Sequence, residues 1–111
     1  MSSIMKLRAE MLRSWRSWIG GVARAVKKLL PDAEIYIIGS IAEGKATAAS
    51  DLDLLIVSNS IPRSSRKLAE LKVAIEDEAK LPIHHPVEFH FTTPEEAQQY
   101  LKRSRALIKL S

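Results

Sequence analysis

The sequence predicts an α/β fold of the α+β type, with three strands alternating with four helical segments. Apolar residues recur every three or four positions ahead of Pro31 and Pro82, which is typical of amphipathic helices. Shorter apolar runs at 35–38, at 54–57 behind Asp51-Leu52-Asp53, and at 87–91 contain β-branched or aromatic residues, which favours strands. No repeat or linker interrupts the 111 residues, of which 46% are apolar, so we expect one domain over residues 1–111.

The first predicted helix is long and ends before Pro31. Ser2 or Ser3 is placed to cap its start. Gly20 and Gly21 lie in its middle, where each glycine lowers helix stability by about 1 kcal/mol relative to alanine. Either the helix bends there or another backbone packs closely against it. Its two tryptophans share the apolar stripe and are interpreted as core residues, with a partner surface as the alternative. The stripe contains Leu7, Met11, Trp15, Trp18, Ile19, Val22, Val26, Leu29 and Leu30.

The first predicted strand leads directly into a Gly-Ser pair. Residues 35–38 are β-branched or aromatic, and Gly39 then allows the backbone to approach a ligand closely. If Ser40 opens a short helix, its hydroxyl and the free backbone N–H groups at the helix start form an anion site. This arrangement suits the phosphates of a nucleotide.

Two aspartates stand at the head of the second strand. Side chains alternate along a strand, so Asp51 and Asp53 should share a face, about 7 Å apart. Two such acids repel each other, and Mg²⁺ binds one or two carboxylates while substrate phosphates and waters complete its shell. An ordinary solvent-facing strand is the alternative. The Gly-Ser pair ten residues earlier favours a nucleotide-metal site.

Two further helices flank the third strand. The later one opens with a threonine cap, a proline at the first helical position and a capping-box glutamate in residues 93–96, and should run to about Leu110. The earlier one is capped by Ser64 or Ser65 and ends before Pro82. Its apolar stripe comprises Leu68, Leu71, Ile75 and Ala79.

The third strand should bury Val87, Phe89 and Phe91 and present Glu88 and His90 on its other face. A lone histidine is more often a hydrogen-bond partner than a catalyst, so His90 is not counted among the catalytic residues. The pair His84-His85 lacks a companion ligand at zinc spacing and is interpreted as loop, so no zinc is predicted. With no cysteine, the chain has no disulfide and no thiol nucleophile.

The motif formed by Gly39-Ser40, ten residues and Asp51-Leu52-Asp53 resembles the signature of the DNA polymerase beta nucleotidyltransferase superfamily, in the spacing of the minimal nucleotidyltransferases (MNT proteins). The resemblance implies a palm-like sheet of three or four mixed strands flanked by helices. It also implies a third acid from a later strand, for which Glu88 is the match. The implied catalytic residues and metal ligands are Asp51, Asp53 and Glu88, with the nucleotide on Gly39 and Ser40.

The segment after the Gly-Ser pair departs from the family pattern. Relatives often carry arginines there, whereas this chain has Ile41 and Glu43. Lys45 is the one cation before the aspartates and is therefore the candidate contact for the triphosphate. The third acid of the family is also more often aspartate than glutamate.

The resemblance further implies an activity and a partner. MNT proteins are commonly paired with HEPN-type toxins, which are small helical ribonucleases. The implied function is Mg²⁺-dependent transfer of AMP from ATP to a hydroxyl group of that toxin, which makes this protein an antitoxin. The alternative is a non-catalytic module that binds a nucleotide or the toxin and neutralises the toxin by contact alone.

Charge is distributed unevenly along the chain. Residues 1–30 hold seven basic and one acidic residue, residues 31–99 six and twelve, and residues 100–111 four and none. Solvated helix faces are the ordinary interpretation of the basic ends. The alternative is a contact surface for a protein partner or a second copy of the chain, while the acidic middle opposes direct nucleic-acid binding. No apolar stretch is long enough to span a membrane, so we expect a cytoplasmic protein without a membrane partner.

Overall fold

Helices and strands alternate along most of the chain. The computed structural model describes residues 2–111. Over that range the helices are α1 (Ser3–Arg13), α2 (Trp15–Leu29), α3 (Gly39–Ala42), α4 (Ser65–Glu78) and α5 (Pro94–Arg103). The strands are β1 (Glu34–Ile38), β2 (Leu52–Val57), β3 (Val87–Thr92) and β4 (Ile108–Lys109).

The strands form one mixed sheet in the order β3-β2-β1-β4. β1 is antiparallel to both β2 and β4, whereas β2 and β3 are parallel and are joined by the crossover helix α4. A parallel pair requires such a crossover because a tight turn can join only antiparallel strands. The predicted α/β fold with a small mixed sheet flanked by helices is confirmed, and the sheet has four strands.

The long first helix predicted from the sequence is two helices, and the break lies at Ser14. The backbone N–H and the hydroxyl of Ser14 both donate to the carbonyl of Glu10, at 3.1 and 2.9 Å. A serine side chain competes in this way for helical carbonyls, and α1 ends here. The glycine pair is not a bend, because α2 continues through Gly20 and Gly21. The nearest neighbour of a Cβ at either glycine would be the guanidinium of Arg24, from α2 itself.

The last helix is shorter than predicted. It ends at Arg103 instead of near Leu110, because the backbone N–H and the hydroxyl of Ser104 both donate to the carbonyl of Tyr100, at 3.0 and 2.7 Å. The chain then forms β4, where Ile108 pairs with Ile37 of β1. Pairing with an edge of the sheet overrides the helical pattern of these residues.

The two faces of the sheet are covered differently. Helices α2 and α4 pack on one face, over the main apolar core. Helix α5 packs on the other face, where Ala97 meets a smaller cluster of Ile38, Leu55 and Val57. The fully buried side chains of the main core include Ile35, Ile37, Leu52, Leu54, Ile56 and Ile75.

Both tryptophans are held within the fold. Trp15 is buried, with the guanidinium carbon of Arg16 4.3 Å from the centroid of its ring. Trp18 is half-buried and its indole N–H donates to the carbonyl of Met11 at 3.0 Å, which ties α2 to α1. This agrees with the interpretation of the tryptophans as packing residues.

Among residues 2–111, every helix falls short of the length and apolar character that crossing a lipid bilayer requires.

Candidate active site

The parallel pairing of β2 and β3 brings two of the predicted acids together. Asp53 lies directly opposite Glu88 in the register of these strands, and neighbouring strands are about 4.8 Å apart. His90 follows two residues later on the same face of β3. One ligand atom from each of Asp53, Glu88 and His90 lies within 4.8 Å of the others. Such a set of two carboxylates and an imidazole fits a divalent cation.

His90 is the member of this cluster that sequence reasoning left out. Its Nε2 lies 3.1 Å from Oδ1 of Asp53, and its ring centroid is 5.9 Å from that of Tyr100 on α5. The histidine therefore either orients the Asp53 carboxylate through a hydrogen bond or binds a cation beside it. Its position two residues from Glu88, on one face of one strand, was the available signal.

Asp51 lies apart from this cluster. It precedes the first residue of β2, and its Oδ1 accepts from a guanidinium nitrogen of Arg8 at 2.6 Å. The other terminal nitrogen of Arg8 donates to the carbonyl of His85 at 2.9 Å. The structure thus brings Asp53 and Glu88 together, whereas Asp51, the remaining predicted metal ligand, forms an ion pair with Arg8 of α1.

His85 is a structural residue of the loop before β3. It is buried, and its Nδ1 accepts from the backbone N–H of Val87 at 3.0 Å. The proton of the neutral ring is therefore on Nε2, which donates to the carboxylate of Glu76 on α4. Both ring nitrogens are used within the fold, and they anchor the start of β3 at the level of the acids.

Gly39 is required at the end of β1 for two reasons. Its φ is +74°, in the left-handed region that glycine adopts without strain. A Cβ at this position would also collide with the carboxylate of Asp53. Any larger residue would displace Asp53, so the glycine of the Gly-Ser pair shapes the acid cluster directly.

The other predicted nucleotide contacts lie just beyond this glycine. Ser40 is half-buried in the single turn of α3, and its carbonyl accepts from the backbone N–H of Lys45 at 2.9 Å. Lys45 is exposed in the loop between α3 and β2. Within residues 2–111 its ammonium group forms no ion pair, so it is free to contact an anion.

Known proteins share this fold and this region of the sequence. The family model "Nucleotidyltransferase domain" matches residues 19–108. A solved structure described as a "putative nucleotidyltransferase" is 34% identical, covers 81% of this chain and 94% of its own, and superposes with a TM-score of 0.64. A second, described as a "putative nucleotidyltransferase from Sulfolobus solfataricus", is 20% identical, covers 98% of this chain and 86% of its own, has a TM-score of 0.56 and shows the fold alone.

No curated protein sequence matches the chain. The family model begins within α2, ends at the first residue of β4 and includes the Gly-Ser pair and all three predicted acids. The match in sequence therefore covers the same segments that build the acid cluster, and the resemblance seen in the motif is confirmed. The chain belongs to the nucleotidyltransferase domain family.

Proposed function

We propose that this nucleotidyltransferase transfers AMP from Mg²⁺-ATP to a hydroxyl group of a partner protein, and that the partner is a HEPN-type toxin which it neutralises. The observation that carries the catalytic part is the convergence of Asp53 and Glu88 beside Gly39. The resemblance to MNT proteins supports the toxin as the acceptor.

The three predicted acids have different roles in this proposal. Asp53 and Glu88 would hold a metal ion, and Asp51 would join them after leaving Arg8. The bound metal would supply charge stabilisation for the α-phosphate and the departing pyrophosphate. Gly39, Ser40 and Lys45 would contact the phosphates, and the missing side chain of Gly39 leaves room for the carboxylate of Asp53.

Glu88 has a second role in the proposal. It is an exposed carboxylate, whereas Asp53 is half-buried and its Oδ1 contacts His90, so Glu88 is the more accessible of these two acids to an incoming hydroxyl group. We assign it the removal of the proton from the attacking hydroxyl. His90 would keep the Asp53 carboxylate in place through its hydrogen bond.

A non-catalytic antitoxin is the second candidate, and two observations favour it. Asp51 is engaged by Arg8, and Glu43 stands where relatives carry basic residues. In that case the protein would neutralise the toxin by contact, with or without a bound nucleotide.

The deciding experiment incubates the purified protein with Mg²⁺, α-labelled ATP and the protein encoded by the adjacent gene. Label should pass to that protein, and Asp51→Asn combined with Asp53→Asn should abolish the transfer. The matched control is Asp77→Asn, which makes the same change at an exposed acid of α4. Neutralisation of the toxin without label transfer would establish the contact mechanism instead.

The partner class is tested in a titration with generic RNA at increasing salt. The basic ends of the chain should give weak binding, because the acidic middle opposes the phosphates. A protein complex without tight RNA binding supports the toxin proposal. Tight RNA binding that weakens steeply with salt, without a protein complex, would assign the basic ends to nucleic acid.

A further inference from the structure

A groove runs beside the acid cluster, between the turn after β1 and the carboxyl half of α5. It has a volume of about 430 Å³ and is lined by Gly39, Glu43, Gln99, Tyr100 and Arg103, among others. Sites for small ligands typically have volumes of about 300–1,000 Å³. The residues of α5 in this groove have no part in the chemistry described above.

The groove is continuous with the acids. Gly39 lines it and at the same time lies against the carboxylate of Asp53. On the other side, the ring of Tyr100 is 5.9 Å from the ring of His90, and His90 contacts Asp53 at 3.1 Å. A ligand whose phosphates reach the acids would therefore extend into the groove along α5.

The lining has the chemistry to hold a nucleotide. Arg103 is exposed, and its guanidinium makes no ion pair or hydrogen bond within residues 2–111. A free guanidinium binds phosphate in a bidentate manner. Tyr100 is 36% exposed, three residues earlier on the same face of α5, and aromatic rings stack on nucleobases.

We propose that this groove binds the nucleoside triphosphate, with Arg103 on its phosphates and Tyr100 stacked on its base. This inference rests on the proposed function and specifies where its nucleotide is held. The chain has Ile41 and Glu43 after the Gly-Ser pair, and α5 supplies the positive charge that those positions lack. Arg103 also offsets the charge of Glu43, which would otherwise repel the phosphates.

The test measures binding of a non-hydrolysable ATP analogue and of tripolyphosphate, each with Mg²⁺, by calorimetry on the full chain. Arg103→Ala and Arg103→Gln should weaken both ligands about tenfold, as expected for the loss of one charge-assisted hydrogen-bonding group. Lys102→Ala removes the same charge from the neighbouring residue, which lies outside the groove, and should change affinity less than about twofold.

Variants of Tyr100 distinguish contacts with the base from contacts with the phosphates. Tyr100→Ala should weaken the ATP analogue about tenfold and leave tripolyphosphate unchanged, while Tyr100→Phe, which keeps the ring, should bind both normally. Adding Glu43→Gln to Arg103→Ala should restore part of the lost affinity. Far-UV circular dichroism and melting curves confirm that each variant is folded.

Each outcome decides the proposal. If the wild type binds nucleotide and Arg103→Ala behaves like Lys102→Ala, the groove assignment is wrong and the proposed function stands. If the α5 variants retain nucleotide affinity but raise the KM for the protein acceptor, the groove belongs to the acceptor and the inference is overturned. If the wild type neither binds nucleotide nor transfers AMP, the proposed function and this inference both fail.

Discussion

The two faces of the sheet differ most along β2. Leu52, Leu54 and Ile56 point to the face covered by α2 and α4, and all three are fully buried. On the opposite face the strand begins with the half-buried Asp53 and continues with Leu55 and Val57 beneath α5. One face is thus apolar throughout, while the other changes from acid to apolar within two residues.

This difference shows how a short strand supports both stability and chemistry. The apolar face fixes the backbone of β2, and the Asp53 side chain is held from that backbone at the open end of the other face. Groups positioned on a rigid strand keep a more accurate geometry than groups on a loop. Changes on the two faces should therefore affect different measurements.

The largest expected effect comes from adjacent substitutions on opposite faces. Leu54→Ala should lower the free energy of unfolding by about 2–5 kcal/mol, because it leaves a cavity in the core. Asp53→Asn should reduce AMP transfer by more than about 100-fold. Mutating a residue that only hydrogen-bonds to a metal ligand already lowers metal affinity or activity by about 10-fold to 100-fold. The melting temperature of Asp53→Asn should hold or rise as repulsion from Glu88 is relieved.

Melting curves and transfer assays on both variants make this comparison. The two faces would not be independent if Asp53→Asn unfolded the protein, or if Leu54→Ala lost activity at a temperature where it is still folded.

A second prediction concerns the acid opposite Asp53. Glu88→Ala should lower kcat far more than it weakens ATP binding, because its proposed work is on the metal and on the attacking hydroxyl. Glu88→Asp should recover part of the rate. Steady-state kinetics with calorimetric ATP binding measures both quantities, and unchanged turnover in both variants would make Glu88 a surface residue.

A third prediction tests the ion pair that separates Asp51 from the other acids. Arg8→Ala should tighten binding of Mg²⁺ or Mn²⁺ several-fold, because the guanidinium no longer competes for the carboxylate. Stability should change by no more than about 1 kcal/mol, since the pair is partly exposed. Metal titration followed by calorimetry gives the affinity.

The matched control is Arg66→Ala, which breaks an exposed pair with Glu70 on α4 and should leave metal affinity unchanged. Equal metal affinity in Arg8→Ala and the wild type would mean that Asp51 is a structural residue and not a ligand.

The smallest effect is expected at the other end of β2. The hydroxyl of Ser58, 2.6 Å from Oδ1 of Asp32, and the backbone N–H of Asn59 hold the pKa of Asp32 below its usual value. A lowered pKa stabilises the fold above the unfolded value of about 4, and this stability is lost as the pH falls through the folded value.

Asp32→Asn should therefore melt at a slightly lower temperature at pH 7 and lose less stability than the wild type between pH 5 and pH 3. Its transfer activity at pH 7 should be unchanged, because Asp32 is remote from Asp53. Melting temperature against pH is the measurement, and identical pH profiles for the two proteins would contradict the role of Asp32.

Local patterns in the sequence determined the strands β1, β2 and β3, the helix α4, the start of α5 and the sharing of a face by Glu88 and His90. These features depend on residues within a few positions of one another, such as the alternation in β3 and the cap at Thr93, whose hydroxyl accepts from the N–H of Glu96. The Gly-Ser and Asp-x-Asp spacing likewise identified the family, because the motif is continuous in the chain.

Tertiary structure alone decided which functional groups meet. The register of β2 against β3 places Asp53 opposite Glu88, although 34 residues separate them in the sequence. Arg8 reaches Asp51 and His90 reaches Asp53 across 43 and 37 positions, and β4 pairs with β1 across a still longer stretch of chain. Such contacts depend on how whole elements pack against one another, and no pattern within a few residues encodes that packing.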